Sequence, residues 1–272
     1  MNTTKLDLNK LHPFAGHPYK VRDNEEMDAL VESIRMNGIL TPLTVRPLEN
    51  GEYEVISGHR RLYAAQKAGL ETVPAIIMPM SRDEAAIAVV DSNLHREHLL
   101  PSEKAFAYKL KMEALNHQGV TSGQVGQKWS RDEVSDTDSG RQVQRYIRLT
   151  HLIPSILSMV DEGRIAFTPA VELSYLTEQE QQELAEEMAY ADATPSLSQA
   201  QRMREISRQG RLTTEAIYAI MSEEKANQKE RLKIPMERIR RFFPQSYTTA
   251  QIEEAVVKLC ERDYRRRTDR DR

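Results

Sequence analysis

The sequence is poor in cysteine and has no long apolar run. These two features exclude proteins with internal disulfides or cysteine-cluster zinc sites and proteins with membrane-spanning helices. Cys260 is the only cysteine among 272 residues, so no internal disulfide can form and no cysteine cluster can hold zinc. No apolar segment approaches the roughly 18 residues that a membrane-spanning helix needs. Residues 1–10 contain no apolar signal segment, which predicts a cytoplasmic protein without a membrane partner.

The sequence also has no excess of basic over acidic residues. The 38 Lys and Arg residues are outnumbered by 41 Asp and Glu residues, and the formal net charge is −3. The chain therefore cannot coat nucleic acid through its overall charge, and any DNA contact must come from local basic segments. The seven histidines are scattered, and His95 and His98 have no further ligand near them in sequence, so we predict no metal site built by the protein.

Residues 1–100 mix helix and strand signals. Asp23 is predicted to cap a helix whose apolar residues recur at helical spacing as far as Asn37-Gly38. Asn50-Gly51 is typical of a hairpin turn. These signals predict a small α+β domain, in which a helix at 62–68 follows the hairpin. The segments predicted to be extended are 6–11, 43–46, 53–56 and 73–78.

Strand signals disappear after Pro101. Residues 101–210 show helical patterning, which predicts an all-α domain. Residues 211–272 predict a linker and a small helical C-terminal unit, in which Thr248 and Gln251 form a capping pair. The predicted fold is therefore an α+β domain, an all-α domain and a helical C-terminal unit, in that order.

Ser57-Gly58-His59-Arg60-Arg61 lies where a predicted strand turns into a predicted helix. Gly58 permits a tight turn, and the N–H groups that begin a helix carry partial positive charge. The two adjacent arginines add forked donors suited to phosphate oxygens. The same residue types also form ordinary surface turns, so a phosphate site and a structural turn both remain open.

Ser81 and Glu84 are predicted to cap a helix that runs to about Asn93. Asn93 and Arg96 form a second polar cluster at the end of this helix. The Asn93 amide can donate and accept hydrogen bonds, and the Arg96 guanidinium can reach a phosphate. The alternative is a helix C-terminus whose basic residue interacts favourably with the helix dipole.

A basic segment lies in the helical region. Residues 139–152 contain three arginines and no Asp or Glu. Residues 119–129 and 139–149 are typical of the two helices of a helix-turn-helix, with Val143 and Ile147 spaced to face the core. Arg and Gln side chains read guanine and adenine edges, and we predict that Arg145 points outward to do so. The residues predicted to bind DNA are Arg141, Gln142, Gln144, Arg145 and Arg148. An amphipathic helix with a solvated basic face is the alternative.

These motifs together resemble the ParB-type partition protein family in order and spacing, over about residues 5–180. Residues 18–22, 32–39 and 43–47 resemble, in this order, the beginning of that family's N-terminal domain. Residues 57–65 resemble its Gly-Glu-Arg-Arg phosphate motif, and residues 92–97 resemble its Glu-Asn-x-x-Arg motif.

In that family the two motifs hold the phosphates of CTP with magnesium, and binding closes a dimeric clamp around DNA. The resemblance implies CTP and Mg2+ as ligands, a short double-stranded DNA site, a homodimer, a ParA-type ATPase partner and association with the nucleoid. The residues that it implies for nucleotide binding are Arg22, Thr41, Ser57, Gly58, His59, Arg60, Arg61, Asn93 and Arg96. The C-terminal unit would dimerise through Ile252, Val256 and Leu259.

His59 and Ser92 depart from the family pattern, since each replaces an acidic residue. Carboxylates are the natural ligands of magnesium, so we predict weak or absent CTP hydrolysis. No catalytic residue is assigned. The function predicted is a CTP-gated DNA clamp or adaptor that segregates a chromosome, plasmid or mobile element.

Other functions remain as alternatives. One is a nucleotide-dependent enzyme on the same fold, either a small-molecule kinase or a nuclease, and another is a ParB-like transcriptional regulator. Ser57-Gly58-His59-Arg60 also resembles the sulfiredoxin motif. That chemistry needs a cysteine nucleophile, and Cys260 is remote in sequence.

Overall fold

The computed structural model describes residues 2–94, 96, 99–121, 134–135, 138–223 and 236–268. The chain separates into two compact units, residues 1–223 and 224–272. None of the helices in the described ranges combines the length and the apolar character needed to cross a membrane.

A five-stranded mixed sheet begins the first unit. Its strands are β1 (Thr4–Asp7), β2 (Leu11–Pro13), β3 (Leu43–Pro47), β4 (Tyr53–Ser57) and β5 (Thr72–Ile77), in the spatial order β1-β5-β3-β4-β2. The segment predicted as one extended entry at 6–11 is divided between two edge strands by a 3-10 turn at Leu8–Lys10. β3 and β4 pair antiparallel around Gly51, which confirms the predicted hairpin. The inner strands carry a buried apolar core.

Three helices accompany this sheet: α1 (Glu25–Asn37), α2 (His59–Ala68) and α3 (Arg82–Leu94). The predicted cap of α1 is wrong by one residue, because the side chain of Asn24 accepts the hydrogen bond from the Met27 amide. Asp23 instead accepts a hydrogen bond from Lys67 Nζ at 2.5 Å, which joins the start of α1 to α2. Apolar residues of α1 pack on Ala64 of α2 in a small core of their own.

A helical region completes the first unit. It consists of α4 (Pro101–Thr121), α5 (Gly140–Arg148), α6 (Pro154–Asp161), α7 (Phe167–Leu173), α8 (Glu178–Ala191), α9 (Leu197–Arg208) and α10 (Thr214–Met221). Capping boxes at Thr177 and Ser196 begin α8 and α9, as their local sequences favour. α10 lies in the segment predicted as a linker, and its Ile217 and Ile220 are buried in the core of this region. The domain limits near residues 100 and 210 stay a prediction.

The second unit contains α11 (Met236–Arg240) and α12 (Thr249–Thr268). The Thr248 amide donates to Gln251 Oε1 at 2.8 Å, and the Gln251 amide donates to Thr248 Oγ1 at 3.4 Å. These bonds confirm the predicted capping pair. Ile252 is buried, whereas Leu259 is exposed.

Candidate functional site

Helix α2 begins three residues earlier than its apolar pattern predicts, so Arg60 and Arg61 lie in its first turn. The reason is Gly58, which adopts φ 106° and ψ 23° and caps the helix by accepting a hydrogen bond from the Leu62 amide at 2.8 Å. A Cβ atom built on Gly58 would lie 3.2 Å from Leu43 Cγ and from Arg61 Nη2. Positive φ and the close neighbours both favour glycine at this turn.

A cleft of about 260 Å³ lies between the start of α2 and the end of α3. It is lined by residues of both predicted motifs, namely Ser57, Gly58, His59, Arg60, Arg61, Asn93 and Arg96. It is also lined by residues outside the predicted set of ligands, namely His17, Tyr19, Lys20, Val21, Leu30 and Ser92. Arg22 and Thr41 are not among the lining residues, and the Thr41 carbonyl accepts a hydrogen bond from Arg61.

The ring of His59 is engaged by the backbone of the sheet. Its Nε2 accepts from the Phe14 amide at 3.3 Å, and the ring also forms a backbone hydrogen bond with Val55. Burial, followed by the positive electrostatic influence of His17 and Arg96, lowers the pKa of His59 to about 3. At neutral pH His59 is therefore uncharged, and its ring links the residue that follows β2 to strand β4. A hydrogen bond from its ring to a ligand would displace one of these backbone partners.

His17 lies against His59, with the ring centroids 3.7 Å apart. His17 Nδ1 donates to the Tyr19 carbonyl at 2.8 Å, and burial is the main cause that lowers the pKa of His17. Its Nε2 is the nitrogen that remains available to a ligand in the cleft. Sequence spacing could not reveal this pair, because the two histidines come from segments far apart in the chain.

The lowered pKa of His59 predicts a loss of stability in acid. In the unfolded chain His59 takes up a proton near pH 6.5, whereas in the folded chain it does so only near pH 3. The stability that comes from neutral His59 is therefore fully present above pH 6.5 and is lost as the pH falls from 6.5 towards 3. We expect the loss of this His59 contribution to lower the free energy of unfolding by about 1–2 kcal/mol between pH 7 and 5. His59→Gln should flatten that dependence in urea titrations at both pH values.

The matched control for this experiment is His117→Gln, at a side chain that is 71% exposed. It shows the effect of removing a histidine outside the cleft, from a side chain that also lies 3.5 Å from Asp83. A His59→Gln curve parallel to that of the original chain would contradict the proposed linkage.

The cleft is cationic, and its cations already have partners. Arg60 Nη2 lies 3.2 Å from Glu26 Oε2, and both side chains are exposed. Arg61 Nη1 donates to the Pro42 carbonyl at 2.9 Å, and burial lowers the pKa of Arg61. Arg60 is thus the arginine of the pair that can turn to a phosphate, while Arg61 chiefly holds the loop before β3 against α2.

Asn93 is buried at the end of α3 and is oriented by its own helix. Its Nδ2 donates to the Val89 carbonyl at 2.8 Å and to Ser92 Oγ at 3.1 Å. Its side-chain oxygen is therefore the group that it can offer to a ligand as an acceptor. Arg96 follows, with its guanidinium carbon 5.8 Å from the centroid of the Tyr19 ring.

The cleft residues do not fit a magnesium centre built by the protein. Among the described residues, no group of three or more His, Cys, Asp and Glu side chains is placed to hold a metal ion. Glu26 pairs with Arg60, and Asp91 pairs with Lys111 at 2.6 Å. Magnesium commonly takes phosphate oxygens and water as ligands, and the residues present add no carboxylate cluster to that set.

Helix α5 exposes only part of its basic face. Val143 is fully buried and Ile147 is partly buried, which confirms that these two face the core. Arg141 and Gln144 are exposed, and Gln142 is half-buried. These observations leave Arg141 and Gln144 as the side chains of α5 that are most accessible to a groove.

The position of Arg145 on the helix predicts that it points outward, but in the structure its side chain contacts a neighbouring helix. Its guanidinium donates to Thr168 Oγ1 at 2.9 Å and lies 4.9 Å from the centroid of the Phe167 ring, because α7 packs against this side of α5. Arg148 donates to the Ser174 carbonyl at 2.7 Å and stacks on Tyr175. Both side chains join α5 to its neighbours, and their part in DNA binding stays a prediction.

The predicted first helix of the helix-turn-helix lies mostly outside the described residues. The structure places 119–121 at the end of α4, and residues 122–133 are among those it does not describe. The helix-turn-helix arrangement therefore stays a prediction, carried by α5 alone.

Comparison with known proteins matches residues 1–94 to the family described as the ParB N-terminal domain. A nucleoid occlusion protein of Listeria innocua is 32% identical over 178 residues, covering 65% of this chain and 59% of that protein. The chromosome-partitioning protein Spo0J of Thermus thermophilus is 34% identical over 161 residues, covering 59% of this chain and 55% of that protein. The chain thus spans somewhat more than half of the length of these relatives.

Among solved structures, Caulobacter crescentus ParB complexed to the centromeric parS site is 22% identical, with a TM-score of 0.43. That match covers 76% of this chain and 99% of the other. The same protein complexed with CTP-gamma-S is 25% identical, with a TM-score of 0.33, covering 70% of this chain and 99% of the other.

Proposed function

We propose that the chain is a site-specific DNA-binding protein gated by CTP, on the premise that residues 1–94 match the ParB N-terminal domain family. Its relatives include proteins named for chromosome partitioning and for nucleoid occlusion. The proposal covers both settings.

The observation that carries the nucleotide part is the convergence of two motifs on one cleft. Gly58 and Arg60 reach it from the start of α2, and Asn93 and Arg96 reach it from the end of α3. Helix N–H groups, a rotatable arginine and an amide acceptor together suit the phosphates and polar edge of a nucleotide. The preference for CTP rests on the resemblance to the ParB family.

We expect the chain to bind CTP in preference to ATP, and Arg60→Ala to lower CTP affinity more than tenfold. Removing a charged donor from a phosphate costs about 1.5–3 kcal/mol, which corresponds to that loss. Isothermal calorimetry measures both affinities. Arg82→Ala is the matched control, because it removes the same charge from an exposed position at the start of α3, outside the cleft. An unchanged affinity in Arg60→Ala would overturn the assignment of the cleft.

The DNA part of the proposal is supported by the exposed Arg141 and Gln144 on α5. A small-molecule kinase on the same fold has no need of such a face. A metal nuclease would need clustered carboxylates, and among the described residues no group of three or more His, Cys, Asp and Glu side chains is placed to hold a metal ion. A pulldown with fragmented genomic DNA should recover one short site. Recovery of DNA without any common site would contradict sequence-specific binding.

Assembly belongs to the same proposal. A homodimer joined by the second unit would bring two copies of α5 to one DNA site, and a ParA-type ATPase would act on that complex. The exposed Leu259 on α12 is consistent with a second copy as partner. A dimer at the nucleoid is the state in which CTP would close the protein around DNA.

A further inference from the structure

One wall of the cleft, residues 17–21, is fastened to the helical region by two carboxylates. The first is Glu103, in the first turn of α4, which is only 6% exposed. Its Oε1 accepts from the Lys20 amide at 3.0 Å, and its Oε2 accepts from the Leu100 amide at 3.1 Å. Glu103 thus joins the backbone of the cleft wall to the beginning of α4.

The second carboxylate is Asp161, at the end of α6. Its Oδ1 accepts from the Ser102 amide at 2.9 Å, and its Oδ2 accepts from Ser102 Oγ at 2.6 Å. Oδ2 also lies 3.6 Å from Lys20 Nζ. Asp161 therefore ties α6 to the first turn of α4 and at the same time contacts a cation of the cleft.

Lys20 is placed to exchange this partner for another anion. It lines the cleft, and its side chain is 66% exposed, whereas that of Asp161 is 9% exposed. A lysine ammonium is a point charge on a flexible stem, so it can turn toward a phosphate at little cost. Asp161 would keep both hydrogen bonds from Ser102 after losing Lys20, so the exchange leaves no buried carboxylate without a partner.

We propose that Asp161 competes with the phosphates of a bound nucleotide for Lys20, so that filling the cleft releases the wall of the cleft from α6. This inference rests on the proposed function and assigns a means of regulation to the same cleft. α4 packs against both α5 and α6. Loss of the contact between Lys20 and Asp161 would therefore affect the helices that position α5. Because such coupling is reciprocal, any change that DNA makes in these helices would also change nucleotide affinity.

The test is Asp161→Asn, which removes the charge but can keep both hydrogen bonds with Ser102. An ion pair whose lysine is exposed to solvent contributes up to about 1 kcal/mol, so CTP should bind two- to fivefold more tightly by calorimetry. Damage to the fold would weaken binding instead, which gives the two explanations opposite signs. Glu162→Gln is the matched control, because it removes one negative charge from the adjacent residue, whose partners are Ser158 and Arg164.

A double-mutant cycle with Lys20→Met identifies the path of the effect. Lys20→Met alone should weaken CTP binding, and Asp161→Asn should then add no further change. The inference is overturned if Asp161→Asn matches Glu162→Gln, or if its effect persists in the Lys20→Met chain. A wild-type chain that binds no CTP would instead refute the proposed function, and the inference with it.

Discussion

Gly58→Ala should lower the free energy of unfolding by about 2–5 kcal/mol and abolish CTP binding. A left-handed conformation costs a residue with a Cβ atom about 1–2 kcal/mol, and crowding in a packed site adds about 1–3 kcal/mol. The added methyl would lie 3.2 Å from the buried Leu43 and from the Arg61 guanidinium, so the turn that presents the first N–H groups of α2 would move. Urea titration and calorimetry measure the two losses.

Gly69→Ala provides the matched control at the other end of the same helix. Gly69 also has positive φ, at 76°, but a Cβ atom there would meet nothing within 4 Å. It should cost about 1–2 kcal/mol, from backbone strain alone, and leave CTP affinity unchanged. Equal losses in the two variants would show that the close approach at Gly58 has no energetic weight.

Arg141→Ala should lose most of the preference for the cognate site, whereas Arg145→Ala should keep it. An arginine forked onto guanine contributes about 1–3 kcal/mol of discrimination, and Arg141 is exposed while Arg145 is bonded to Thr168. Removing Arg145 should instead lower the free energy of unfolding by about 1 kcal/mol, through the lost hydrogen bond.

Both variants would be titrated on the duplex recovered in the pulldown and on a scrambled duplex, at two salt concentrations. Salt separates phosphate contacts, which weaken binding to every sequence, from base contacts, which change the ratio between the two duplexes. If Arg145→Ala lost the preference and Arg141→Ala kept it, Arg145 would have to leave Thr168 on binding. The reader role predicted from its helical position would then be correct.

The sequence by itself determined the features that depend on near neighbours. A glycine in a left-handed turn, a capping box or a hairpin is decided by residues within about four positions of one another. The hairpin around Gly51 and the capping pair of Thr248 and Gln251 were predictable for this reason. The apolar spacing of Val143 and Ile147 likewise identified the buried side of α5, because helical periodicity is a local property.

Only the tertiary structure decided which polar side chains are available to a ligand. Arg60 and Arg61 are adjacent in sequence, yet one is exposed at the cleft and the other is bonded to the loop before β3. Arg145 is likewise engaged by α7. A side chain's hydrogen-bond partners come from whichever segment packs beside it, and those segments lie far away in the chain. No local pattern encodes such a partner, and for the same reason the contact between Lys20 and Asp161 appears only once the chain has folded.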